Sequence, residues 1–268
     1  MSDSETTPGC WYRDLGGDGP VLVLLHAFPL SSRTWEPLVE ALDGVRVVLV
    51  DLPGLGRSPV PDGPATMAHA RDLVLGVLDG IGVGRAVLHG VSTGGYVALA
   101  VAAHAPERVA GLALGSTTTR RIEPDVPDER LATADEVERS GSTGPVRGSA
   151  DDGLGATAHR DQPHLVDLLR SIIDGADPRG VAWMARAIAS RDDTTDALRD
   201  LERPVLLLFG DEDEGTPPVR GEEMRDARRP GSDTELVVLP GVGHLTGLEQ
   251  PRRVADVLLP WVRRAWRP

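Results

Sequence analysis

One short segment, residues 90–95 with the sequence Gly-Val-Ser-Thr-Gly-Gly, constrains the fold more than any other part of the chain. An apolar run at residues 86–89 precedes it, and an alanine-rich run at residues 96–105 follows it. This order predicts a strand, a sharp turn and a helix, with Ser92 at the apex of the turn.

The predicted turn explains why glycines flank the serine. A sharp turn of this kind strains the serine backbone and leaves room only for small residues two positions to either side, where Gly90 and Gly94 stand. The helix that starts after Ser92 directs free N–H groups and the positive end of its dipole toward any anion formed there. Because a serine hydroxyl alone is a weak nucleophile, catalysis would also require a base and an orienting acid.

Buried strands alternate with helices over most of the chain. Continuous apolar runs predict strands, and amphipathic runs between them predict helices. Alternation of this kind implies a mostly parallel central sheet with helices on both faces, the α/β class. The predicted strands are residues 21–25, 45–50, 86–89, 109–114, 204–209 and 235–239, and the predicted helices are residues 68–81, 96–105, 219–229 and 252–266.

The alternation stops between about residues 116 and 200, where no convincing strand is found. Helical patterns occur there at residues 132–139, 165–174 and 181–191, and residues 141–155 are expected to form a mobile loop. We therefore expect residues 1–115 and 201–268 to form the core and residues 116–200 to form a helical cap inserted into it.

Composition narrows the possible partners. The net charge of −13 argues against nucleic acid and against an anionic membrane surface. The single cysteine, Cys10, permits no internal disulfide, and residues 1–10 have neither the basic nor the apolar region of a secretion signal. We expect a cytoplasmic protein with no membrane partner; the composition says nothing about oligomeric state.

Three polar clusters follow predicted strands. Ser92 follows one, Asp211-Glu212-Asp213 another, and His244 the last. Because ligand sites of parallel sheets lie beyond the carboxyl ends of the strands, these clusters are expected to meet at one edge. The chain order Ser, Asp, His is the order of a hydrolase triad.

Taken together, the motifs resemble the α/β-hydrolase superfamily, in its esterase, enol-lactonase and cofactor-free haloperoxidase branch. The matching segments cover most of the chain outside residues 116–200, which would be the variable cap of the family. They are residues 26–29, 51–58, 90–95, 210–213 and 240–244, with Glu249 and Pro251 beyond.

The resemblance implies a role for each triad position. Ser92 would be the nucleophile, and His244 would take its proton and return it to the leaving group. The family pattern, Gly followed by two variable residues and Asp, selects Asp213 over Asp211 and Glu212 as the acid that orients His244.

An oxyanion hole requires two fixed N–H groups. The expected donors are Thr93, directly after the nucleophile, and Phe28, in the loop after the first apolar strand. Ala27 stands where family members usually carry glycine, so a positive φ there would strain this loop.

Other conspicuous residues have structural and functional interpretations. The Asp51 carboxylate and the Arg57 guanidinium are interpreted as groups that together brace a turn, and His26 and His89 as structural histidines. Trp35, Tyr96, Trp183, Met184 and Leu245 are candidate substrate-pocket residues, although core packing explains each of them equally well. No histidine spacing indicates a metal site, and no cofactor is expected.

The predicted activity is hydrolysis of small carboxylic esters or lactones through an acyl-serine. A serine nucleophile disfavours the dehalogenase and epoxide hydrolase branches, which use aspartate. The alternatives that remain are a C–C bond hydrolase, a perhydrolase or haloperoxidase with the same triad, and a hydrolase-fold receptor with little turnover.

Overall fold

A computed structural model describes residues 5–7, 9–121 and 129–266 of the chain. Within these residues eight strands form one sheet, in the order β1-β2-β4-β3-β5-β6-β7-β8. β2 pairs antiparallel with β1 and with β4, and all the other pairs are parallel. The strands are β1 (Glu5–Thr7), β2 (Cys10–Asp14), β3 (Val21–Leu25), β4 (Arg46–Val50), β5 (Ala86–Val91), β6 (Val109–Gly115), β7 (Val205–Gly210) and β8 (Thr234–Leu239).

Helices cover the sheet and fill the long connection between β6 and β7. They are α1 (Glu36–Val39), α2 (Met67–Gly80), α3 (Thr93–His104), α4 (Glu129–Ser140), α5 (Ser149–Asp152), α6 (Ala156–Asp161), α7 (His164–Asp174), α8 (Pro178–Ala189), α9 (Thr195–Asp200), α10 (Val219–Ala227), α11 (Thr246–Glu249) and α12 (Pro251–Ala265). Of the helices in the described ranges, none is long and apolar enough to cross a membrane.

The apolar runs form strands because both faces of the sheet are covered. Every residue of β3, β5, β6 and β7 is buried. Such strands lose the alternation of a half-exposed sheet and become continuously apolar. The predicted parallel α/β sheet is therefore confirmed, and the predicted strands begin and end within about two residues of the observed ones.

The sequence analysis missed the antiparallel strands β1 and β2 at one edge of the sheet. β2 is five residues long, and its buried residues, Cys10, Trp11 and Tyr12, are consecutive. Neither the period-two alternation of a half-exposed strand nor a long apolar run marks it.

Between β6 and β7 the described residues form helices α4 to α9, which we call the inserted helices. The expectation that residues 141–155 form only a loop is wrong, because α5 lies within this range. Val146, Ala150 and Leu154 are buried there, so the glycine-rich segment packs through apolar side chains spaced four residues apart. Residues 122–128 of the expected cap lie outside the described residues.

Candidate active site

Ser92 lies between the end of β5 and the first residue of α3. Its backbone is in a sparsely populated region, with φ 54° and ψ −115°. Its N–H donates to the carbonyl of Gly115 at 2.9 Å, and its carbonyl accepts from the Thr117 hydroxyl at 2.9 Å. Hydrogen bonds on both sides of the serine therefore hold the strained turn in place.

The flanking glycines are required by close packing. A Cβ atom on Gly90 would collide with the backbone of Gly94, and one on Gly94 would collide with the carbonyl of Leu25. A Cβ on Gly95 would lie 2.6 Å from the Thr117 hydroxyl. The start of α3 is thus pressed against the end of β3, which the Gly-x-Ser-x-Gly-Gly pattern predicts.

His244 hydrogen-bonds Asp213, and both lie in loops at the carboxyl ends of adjacent strands. His244 Nδ1 lies 2.9 Å from Asp213 Oδ2. The second carboxylate oxygen, Oδ1, accepts the N–H of Thr216 at 2.8 Å. These bonds leave Nε2 as the imidazole nitrogen available for other contacts, the arrangement that a general base needs.

The electrostatics of Asp213 favour its charged form. Burial raises the pKa of this carboxyl, but the hydrogen bond and charge of His244 and the N–H of Thr216 lower it more. The buried hydroxyl of Ser116 acts in the same direction, and the pKa of Asp213 falls below its ordinary value. Ser116 directly follows β6 and has a positive φ of 45°, a feature that the sequence did not signal.

The three adjacent carboxylates have different partners. Asp211 Oδ1 accepts the N–H of Gly241 at 2.7 Å. Glu212 binds the N–H and the hydroxyl of Thr157 on α6, each at 2.7 Å. Asp213 alone of the three hydrogen-bonds His244.

Glu249 fixes the His244 loop, a role that the sequence analysis did not assign. Its side chain is buried; Oε1 accepts the N–H of Leu245 at 3.1 Å, and Oε2 accepts those of Gly243 at 2.9 Å and Gly155 at 3.0 Å. Burial raises the pKa of Glu249 more than these hydrogen bonds lower it. A glutamate five residues after the predicted base, preceded by the uncharged stretch Leu-Thr-Gly-Leu, was the available signal.

The loop after β3 orients the peptide group between Ala27 and Phe28. His26 Nε2 accepts the N–H of Leu52 at 2.8 Å, so its hydrogen lies on Nδ1, which donates to the carbonyl of Ala27 at 2.9 Å. The N–H of Leu30 donates to the same carbonyl at 2.9 Å. Because a peptide group is planar, fixing the Ala27 carbonyl also fixes the direction of the Phe28 N–H.

Ala27 does not have the positive φ that would strain this loop, because Ser92 and Ser116 are the non-glycine residues of positive φ in the described ranges. Thr93 is the first residue of α3, so its N–H is one of the donors that a helix leaves unpaired. His26 is fully buried, which lowers its pKa and favours the neutral tautomer that this loop uses.

Asp51 braces the neighbouring loops, but not through the Arg57 guanidinium as the sequence suggested. Its oxygens accept the N–H of Ser32 at 2.6 Å and the N–H of Arg57 at 2.9 Å. The Arg57 guanidinium instead lies over the Trp11 ring, 4.5 Å from its centroid. The structural interpretation of Asp51 thus rests on backbone contacts.

Two of the candidate pocket residues share a small cavity. Trp35 and Leu245 line it together with Ala27 and Val91, the residues that precede Phe28 and Ser92. Trp35 also packs against His89, with ring centroids 5.1 Å apart.

The remaining pocket candidates have other neighbours. Tyr96, one helical turn after Ser92, stacks with Arg191 and lines a different cavity. Trp183 is buried, contacts the His69 ring edge-on at 5.6 Å between centroids, and donates to the Gly63 carbonyl at 3.4 Å. Met184 is fully buried. Over residues 9–121 and 129–266, no group of three His, Cys, Asp or Glu side chains is arranged to hold a metal ion.

Comparison with known proteins identifies the family. The sequence profile of the Alpha/beta hydrolase family matches residues 22–257. The chain therefore belongs to the α/β-hydrolase family, as the motifs predicted.

Individual relatives share the fold over nearly their whole length. A thermophilic esterase from Thermogutta terrifontis, in a malate-bound structure, is 36% identical, with a TM-score of 0.90 over 98% of this chain and 97% of that one. The enol-lactonase from Burkholderia xenovorans LB400 is 26% identical, with a TM-score of 0.83 over 94% of this chain and 96% of that one. A bifunctional esterase/perhydrolase from Acinetobacter calcoaceticus is 28% identical over 94% of this chain and 95% of its own length.

Some curated relatives are longer than this chain. Three of them match it over 89% to 95% of its residues, but the chain spans only 66%, 47% and 45% of their lengths.

Proposed function

We propose that the protein hydrolyses small carboxylic esters or lactones through an acyl-serine formed on Ser92. The observation that carries this proposal is the hydrogen bond between His244 Nδ1 and the buried Asp213 carboxylate. It orients the imidazole in the loop after β8, where the next residue, Leu245, lines the same small cavity as Val91, the residue before Ser92. The esterase and lactonase activities named for the relatives support the same reaction class.

The reaction proceeds in two steps. His244 Nε2 removes the Ser92 proton as the hydroxyl attacks the substrate carbonyl, and the resulting imidazolium is stabilised by Asp213. The N–H groups of Phe28 and Thr93 stabilise the oxyanion. His244 then protonates the departing alcohol, and a water activated by the same imidazole releases the acid and restores Ser92.

The inserted helices are the proposed cap that determines which substrates fit. Two close backbone contacts join them to the core. Gly155 packs on Gly243, in the loop that carries His244, and Gly180 packs on Gly54. These contacts support a cap that is held firmly over the strand ends. The substrate is proposed to be a small molecule because a cap in this position would restrict access to Ser92.

Perhydrolysis is a second candidate, favoured by the relative named as a bifunctional esterase/perhydrolase. In that reaction hydrogen peroxide replaces water in the second step, so that the acyl group leaves as a peracid. The two activities share the acyl-serine and differ only in its acceptor.

Two measurements test the proposal. A fluorophosphonate should label wild type at Ser92 and fail to label Ser92→Ala. p-Nitrophenyl esters from acetate to octanoate should be hydrolysed by wild type alone, with both proteins equally folded by circular dichroism. Hydrolysis that persists in Ser92→Ala would contradict the assignment. If Ser92 is labelled but no ester is hydrolysed, the bond that the protein cleaves would be another acyl linkage or a C–C bond.

A further inference from the structure

A second cavity lies where the inserted helices join the sheet. It has a volume of about 350 Å³ and lies between the start of α2, the outer face of α3, residues 118–119 and residues 190–194. No member of the proposed triad or oxyanion hole lines it. We call it the hinge cavity, since residues 118–119 lead out of the sheet and residues 190–194 lead back.

The two hinge segments are joined to each other beside this cavity. The N–H of Thr194 donates to the carbonyl of Thr119 at 2.9 Å, and the hydroxyls of Thr119 and Thr195 lie 2.8 Å apart. An occupant that fills the hinge cavity would contact both hinge segments and α3, the helix that follows the proposed nucleophile.

Arg191 is a cation of this cavity that is not neutralised by a carboxylate of the described residues. Its guanidinium stacks on the Tyr96 ring, 4.6 Å from the ring centroid, and Nη1 donates to the Ile188 carbonyl at 3.2 Å. Nε is buried and has no hydrogen-bond partner among the residues that the structure describes. Arginines elsewhere on this chain commonly pair with carboxylates, whereas Arg191 forms no ion pair with the described residues, although Asp192 and Asp193 follow it.

The other charged groups of the wall limit what can bind. Arg71 is paired with Asp72 at 2.8 Å, and Asp193 accepts the N–H of Thr195 at 2.8 Å. Asp192 also lines the cavity and repels any anion there, a doubly charged one about twice as strongly as a singly charged one. One stacked guanidinium with unused donors therefore matches a single negative charge, and its planar fork suits a carboxylate.

The rest of the wall includes small apolar side chains. Ala68, Ala100 and Ala103 contribute methyl groups from α2 and α3, and Met67 adds a thioether. A cavity of this size, with apolar side chains in its wall and one guanidinium that forms no ion pair with the described residues, is typical of sites for small amphiphiles.

We propose that the hinge cavity binds a small monocarboxylate, with its carboxylate on Arg191 and its alkyl chain along the alanines of α2 and α3. The carboxylate binds at Nη2 of Arg191, which forms no hydrogen bond with the described residues, because the Nε atom is closed to water and therefore to a carboxylate oxygen. This site goes beyond the proposed hydrolysis and does not require turnover at Ser92.

Calorimetric titration with sodium hexanoate tests the proposal. Hexanoate should bind wild type, and Arg191→Gln should weaken binding at least about tenfold because it removes the charge. Arg13→Gln, at an exposed arginine on β2, is the matched control and should bind as wild type does. Hexanamide, which has the same chain without the charge, should bind at least about tenfold more weakly than hexanoate.

A second variant separates loss of binding from loss of folding. Ala100→Phe fills the hinge cavity without changing charge and should also weaken hexanoate binding, with the fold monitored by circular dichroism. Equal binding by Arg191→Gln and wild type would overturn the proposal, as would absence of binding to wild type at about 20 mM hexanoate. Hexanoate binding in a protein without esterase activity would contradict the proposed function alone.

Discussion

Glu249 holds the backbone on both sides of His244, through the N–H of Gly243 at 2.9 Å and that of Leu245 at 3.1 Å. The same carboxylate accepts the N–H of Gly155, beside the inserted helices, at 3.0 Å. One buried side chain thus connects the loop after β8, which carries the proposed base, with the inserted helices. Asp213 orients the imidazole ring, whereas Glu249 positions the loop that carries it.

Glu249→Gln should lower kcat for ester hydrolysis about ten- to a hundredfold, with a smaller effect on KM. An amide has one oxygen and one NH2 group, so a donor would face at least one of the three backbone N–H groups. The displaced loop would then misplace His244. Steady-state kinetics with p-nitrophenyl acetate measure the effect, and Glu107→Gln, at an exposed position, is the control. Unchanged kcat would show that Glu249 does not position His244.

Asp213→Asn should reduce kcat/KM far more than Asp211→Asn, because Asp213 alone of the two hydrogen-bonds His244. An asparagine can favour the wrong imidazole tautomer, and the loss expected for this kind of change is about 10⁴-fold. Asp211 supports the N–H of Gly241 from an exposed position, so its loss should lower activity about tenfold at most. Kinetics of the two variants at pH 8 measure this, and the reverse order would assign the acid to Asp211.

The sequence predicted the strands and the turn that depend on the pattern of neighbouring residues. Continuous apolar runs identified the buried parallel strands, and two glycines around Ser92 identified the turn that their missing Cβ atoms permit. The His-Asp pairing followed from the resemblance, and the structure brings these two residues within hydrogen-bonding distance.

Contacts across long chain separations could not be predicted. The Glu249 bond to Gly155 spans 94 residues, and the Trp183 bond to Gly63 spans 120. The Arg57 guanidinium was expected to contact Asp51, but it is the backbone N–H of Arg57 that hydrogen-bonds the Asp51 carboxylate. In each case the partner depends on how loops meet in space, which residue type and spacing do not encode.

Gly180→Ala should destabilise the docking of the inserted helices. A Cβ at Gly180, near the start of α8, would collide with the backbone of Gly54 in the core. The expected decrease in the free energy of unfolding is about 1–3 kcal/mol. Gly76→Ala in α2 is the matched control, because no atom lies within 4 Å of its Cβ position.

The control substitution should increase the free energy of unfolding by about 0.5–1 kcal/mol, since alanine is more stable than glycine in a helix interior. Urea denaturation of both variants measures the two changes. A stabilising effect of Gly180→Ala would show that α8 does not rest on Gly54.

The free energy of unfolding should fall as pH decreases from about 7.5 to 5, partly because of His89. Burial lowers the pKa of His89 from 6.5 to about 4, while its Nδ1 lies 3.0 Å from the Ala113 carbonyl. The unfolded chain therefore binds a proton near pH 6.5, when the folded protein still excludes it. This difference lowers the free energy of unfolding as pH falls below the pKa of His89 in the unfolded chain, by about 2 kcal/mol at pH 5.

His89→Gln keeps a donor for Ala113 but does not titrate, so urea denaturation should show a weaker pH dependence for this variant. Identical pH dependence in both proteins would mean that His89 accepts a proton in the folded state.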